Sequence, residues 1–167
     1  MGWSKVLLSC VLSGAMFPST AGEIRLQDPV PYAEGGIIAN NVRVECPLGR
    51  QLAEFVQQYS ARTGVTITLT DKAPDPAVGS VLKLEIVDAR SGGNAFIGHH
   101  KSTTVRGALF DNGVQKASFV ARRNSGGGFG AGFKGSCSVL GRTVKALGSD
   151  IATWLAAPRD GAQLGDL

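Results

Sequence analysis

Residues 65–70 read Val-Thr-Ile-Thr-Leu-Thr, with an apolar side chain at every second place, the period of a half-buried strand. The same alternation sets Leu82, Leu84 and Ile86 on one face against Lys83 and Glu85 on the other. It also sets Ile38, Val42 and Val44 opposite Asn41, Arg43 and Glu45, so residues 37–45 read as a strand that opens the core. Two further alternating runs, 102–110 and 114–122, flank Asp111, Asn112 and Gly113. Those turn residues tolerate positive φ, and the combination predicts a hairpin.

Two segments change to a helical period. Leu48, Leu52, Phe55, Val56 and Tyr59 form one apolar stripe, with Cys46 at the cap position, Pro47 at the first helical position and Gly64 as the stop. Leu140, Val144, Leu147, Ile151, Trp154 and Leu155 form a second stripe that Pro158 ends. Between the periodic segments, 72–80 and 90–100 read as loops.

The predicted order is β-α-β-β-β-β-α. Strands joined directly by turns favour antiparallel pairing, so the expected fold is α+β: a two-layer sandwich with a mostly antiparallel sheet of about four or five strands and both helices on one face. Residues 22–36 hold two prolines and three glycines without a sustained period and read as a lead-in. The single domain is expected over 37–157, and 158–167 as a flexible tail.

The N-terminus supplies a compartment. Met1 to Lys5 carries one positive charge, an apolar run of about a dozen residues follows, and Pro18 to Gly22 offers small residues for cleavage, the pattern of a signal peptide over 1–21. The run is shorter than the roughly 20 residues a membrane-spanning helix requires, and no second long apolar run follows it. The reading is export to the periplasm. An alternative anchors the chain as an outer-membrane lipoprotein through Cys10, although Leu8 stands where a small residue is usual.

Cleavage after Ala21 removes Lys5, and the formal charge falls from +4 to +3. A charge so small and dispersed argues against nucleic acid as a partner. It also leaves two cysteines, Cys46 and Cys137, and an even count in an oxidising compartment reads as one disulfide. Both stand at the start of a predicted helix.

Candidate chemistry is sparse. Gly130 to Gly135 fits G-x-G-x-x-G, but a dinucleotide fold needs a further strand carrying an acid after the helix, and the sequence has none there. A phosphate-binding P-loop fails because Phe133 precedes Lys134 and Gly135 follows it. Phe129 and Phe133 stand among the glycines and, with Lys134, are candidate partner contacts if the rings face outward. His99 and His100 are the two histidines, without metal-ligand spacing, and no serine sits in a nucleophile motif. No cofactor, metal or catalytic residue is expected.

Residues 107–155, a strand leading through the glycine-rich segment to a cysteine and a last helix near a tryptophan, resemble small uncharacterised proteins and lipoproteins of the Gram-negative envelope. Their α/β domain is similar to the N-terminal domain of the translocation protein TolB. The resemblance implies a non-catalytic accessory domain that binds an envelope protein by a sheet face, an edge strand or the glycine-rich loop. Two other readings stand beside it: a periplasmic small-ligand or glycan-binding protein, and a hydrolase using His99 or His100.

Overall fold

The computed structural model describes residues 22–94, 98–125 and 135–167, and of 91–94 and 98–100 the backbone alone. The elements in order are β1 (Ile24–Gln27), β2 (Tyr32–Ile38), α1 (Asn40–Glu45), α2 (Leu48–Arg62), β3 (Ile67–Thr70), β4 (Ser80–Asn94), β5 (Gly98–Asp111), β6 (Val114–Ser125), α3 (Ser136–Ala156) and β7 (Ala162–Gly165). Seven strands form one sheet in the order β3-β1-β4-β5-β6-β7, and β2 lies beside β4 beyond the end of β1.

The expected α+β class holds, with a larger and more mixed sheet than the hairpin logic predicts. β4, β5 and β6 are antiparallel, and Asn112 and Gly113 turn the hairpin of β5 and β6 with φ of 48° and 85°. The short strands β1, β2, β3 and β7 all pair in parallel. Parallel neighbours need a crossover, and α2 and α3 supply crossovers that turns could not.

Four segments differ from the sequence expectation. The lead-in at 22–36 holds β1 and most of β2, separated by Pro29; four residues with only Ile24 and Leu26 inward are too few to show a period. Residues 40–45 form helix α1 instead of continuing a strand: Val42 is buried whereas Val44 is 84% exposed, so the two-residue spacing of these valines marks no common face. The tail contains the edge strand β7. The expected loop at 90–100 is largely strand, since β4 runs to Asn94 and β5 starts at Gly98.

The core lies between one sheet face and the helices. Leu82, Leu84 and Ile86 of β4, Val105 of β5, and Ala117, Phe119 and Ala121 of β6 point inward against Leu52 and Val56 of α2 and Leu140, Val144, Leu147 and Ile151 of α3. The two helices pack closely because position 148 is glycine: a Cβ there would stand 2.6 Å from Phe55 Cβ. Cys46, just before α2, bonds to Cys137 in the first turn of α3, with Cα atoms 5.1 Å apart and a sequence separation of 91. The other sheet face, with Lys83, Glu85, Arg106 and Arg122, has no helix over it among the described residues.

Candidate functional site

The C-terminal half of α3 aims Trp154 at the sheet. Its ring meets Phe119 edge to face at 4.7 Å, and its indole Nε1 donates to the carbonyl of Arg159 at 3.0 Å. That bond fixes the turn after Pro158, and Gly161, at φ 64°, redirects the chain into β7. At the start of β7, Ser118 Oγ donates to Asp160 Oδ1 at 2.6 Å and accepts from the Gly161 amide at 3.2 Å.

A denser arrangement holds the other end. Arg123 of β6 makes a two-pronged contact with Asp150 of α3, both N–H···O distances being 2.7 Å, and its third nitrogen donates to Asp166 Oδ1 at 3.0 Å. Asp166 Oδ2 accepts the Asn124 amide at 2.8 Å. One guanidinium therefore joins β6, α3 and the residue after β7. Its hydrogen bond to Asp150 raises the guanidinium above its ordinary pKa. The Asn124 amide, then Arg123, holds the Asp166 carboxyl below its ordinary value. Gly165 is needed at this end: its φ is 82°, and a Cβ would lie 2.2 Å from the carbonyl oxygen of Arg122.

β7 pairs with β6 on one side alone. In a parallel ladder, alternate residues of a strand bond to its neighbour. The Asp166 amide donates to the Arg122 carbonyl at 2.8 Å, so Leu164 and Asp166 face β6 while Gln163 and Gly165 turn their amides outward. No described residue bonds those outward groups. Between this edge and α3 runs a groove of about 660 Å³. Thr153, Trp154 and Ala157 form its helix wall, Ala162 and Leu164 its strand wall, and Asp150, Arg159 and Asp160 bring charge. The hollows on the open sheet face are smaller, about 230 and 300 Å³, around Arg106, Ala108 and Val120.

Asp150 and Asp160 are occupied in positioning β7, Asp150 by Arg123 and Asp160 by the hydroxyl of Ser118. Among the described residues no group of three or more His, Cys, Asp or Glu could hold a metal ion. What the arrangement offers is an unfilled sheet edge above a half-apolar groove, the geometry that accepts an extended peptide as a further strand.

The residues singled out from sequence lie elsewhere. Cys46 and Cys137 meet at the start of α3, about 20 Å along the helix from Asp150 at 1.5 Å per residue. Phe129, Phe133 and Lys134 lie outside the described residues, as does the leader 1–21 with Cys10. His99 and His100 pair through their backbones with Gly93 and Gly92, and their side chains are outside the described set. Sequence reasoning missed Arg123 and the β7 edge altogether. Nothing in the order of residues links Arg123 to Asp150 and Asp166, which are 27 and 43 positions away. It also missed Lys101, 3% exposed, whose Nζ donates to Ser136 Oγ at 2.7 Å and whose pKa burial lowers.

The fold defines a class: a disulfide-linked α+β domain whose sheet ends at β3 on one side and at β7, above the groove, on the other. No protein-family model and no curated protein matches the chain. Among solved structures, protein XCC0632 from Xanthomonas campestris aligns at 12% identity over 85% of this chain and 87% of its own, with a TM-score of 0.52. The hypothetical protein CT253 from Chlamydia trachomatis aligns at 11% identity over 82% and 99%, with a TM-score of 0.51. A minor lipoprotein from Acinetobacter baumannii aligns at 12% identity over 82% and 94%, with a TM-score of 0.47. The first two share this fold, and at such identity they show the fold alone. No helix among the described residues is long and apolar enough to cross a membrane.

Proposed function

We propose that this chain is a non-catalytic, exported accessory domain of the bacterial cell envelope that binds a protein partner by accepting an extended strand at β7. The observation that carries the reading is the outward row at Gln163 and Gly165 above the groove of α3. A main-chain ladder supplies affinity at such an edge, and side-chain pockets below it supply selection. Export is supported by the leader pattern at 1–21 and by the Cys46–Cys137 bond, a link that reducing compartments do not maintain. The resemblance of residues 107–155 to envelope lipoproteins and to the TolB N-terminal domain belongs to the same proposal.

A photoreactive residue placed at Gln163 of the exported protein, with Lys83 on the open sheet face as the comparison, tests it. A discrete crosslinked product at position 163 that is absent at 83 is expected. No product at 163, or equal products at both, overturns strand acceptance at β7.

A further inference from the structure

Resting on that reading of the β7 edge, we infer that the strand it accepts is β7 of a second copy of this chain, laid antiparallel about a two-fold axis through Leu164. The edge is self-complementary. Leu164 spends its own amide and carbonyl on β6, and the outward residues Gln163 and Gly165 stand symmetrically on either side of it. In the antiparallel arrangement, each Gly165 amide faces the other copy's Gln163 carbonyl, and each Gln163 amide faces the other copy's Gly165. The two Leu164 side chains then meet at the axis, on the groove side.

Charge agrees with this direction. The groove has an acidic end, where Asp150 and Asp166 share Arg123, and an opposite end where Arg159 makes no ion pair among the described residues. Asp160, the other charge at the Arg159 end, is turned to the hydroxyl of Ser118. A two-fold rotation carries each Arg159 toward Asp150 and Asp166 of the other copy, carboxylates that face Arg123 directly and, for Asp166, Arg122 at longer range. A parallel arrangement sets like ends together. The same patch serves both copies, so the assembly closes at two and leaves no accepting β7 edge.

The test is sedimentation of the oxidised full chain over a range of concentrations, beside three variants. Gln163→Pro removes an outward amide that the fold itself does not use, and Arg159→Glu reverses the unmatched charge. Lys83→Glu, on the open face, is the control. Wild type and Lys83→Glu are expected to dimerise alike, Gln163→Pro to weaken the dimer at least tenfold, and Arg159→Glu at least threefold with a reduced response to salt. Circular dichroism checks that each variant is folded, and if Gln163→Pro is not, Arg159→Glu carries the decision. A dimer insensitive to both changes overturns the inference. A wild type that stays monomeric while position 163 still crosslinks another envelope protein overturns self-pairing and leaves strand acceptance standing. A monomer without that product overturns both.

Discussion

Replacing Arg123 by methionine removes the one side chain that ties β6, α3 and the end of β7 together, while keeping its apolar stem. Three N–H···O contacts disappear, two at 2.7 Å to Asp150 and one at 3.0 Å to Asp166. Fully buried, charged hydrogen bonds contribute about 1.5–3 kcal/mol each. Arg123 is 33% exposed and Asp166 36%, so solvent screening brings each contact closer to the ~0.5–1 kcal/mol of surface networks. Asp150, at 19% exposure, is left with an uncompensated charge. The expected loss is about 2–3 kcal/mol, read from urea denaturation. The loss should also be local: the amides of Leu164 and Asp166, which bond to β6, should lose exchange protection before those of β5. A change below about 0.5 kcal/mol with β7 protection intact would refute the role assigned to Arg123.

Other consequences can be measured independently. Replacing both Cys46 and Cys137 by serine should lower stability by about 4–5 kcal/mol, from closure of a loop of this length in the chain-entropy model, and lower Tm by roughly 10–20 °C by calorimetry. Gly165→Ala forces a side chain into left-handed backbone against the Arg122 carbonyl and should cost about 1–3 kcal/mol, with β7 again the first part to lose protection. The Asp166 carboxyl is more acidic folded than unfolded, so its contribution is complete above the ordinary aspartate value of about 3.9 and is lost as pH falls through the lower folded value. A pH titration of β7 amide shifts followed by NMR should show detachment of the strand only on that acid side, and Asp166→Asn should remove the step.

The elements with long periodic patterns were legible in the sequence. α2, α3 and the hairpin of β5 and β6 follow from stripes and turn residues within each segment, and the bond between Cys46 and Cys137 follows from the even count that the expected leader leaves. What failed depends on neighbours distant in sequence. Ile24 and Leu26 become a strand because β3 and β4 flank them, and two apolar residues cannot announce that alone. β7 exists because Ser118, Arg123 and Asn124 grip a segment with a single large apolar residue, Leu164, between Gly161 and Gly165. The glycine-rich segment attracted functional readings by composition. The edge groove, built from ordinary residues by tertiary placement, carried no motif to find.

Amide hydrogen exchange at β7 tests strand acceptance most directly. In dilute protein, Leu164 and Asp166 should be protected by β6 while Gln163 and Gly165 exchange freely. At concentrations where the chain associates, Gln163 and Gly165 should become protected as well, completing the ladder on the outer side. If those two amides remain fast in the associated state, β7 does not pair with a second copy; if they are already slow in the dilute monomer, β7 is not an accepting edge.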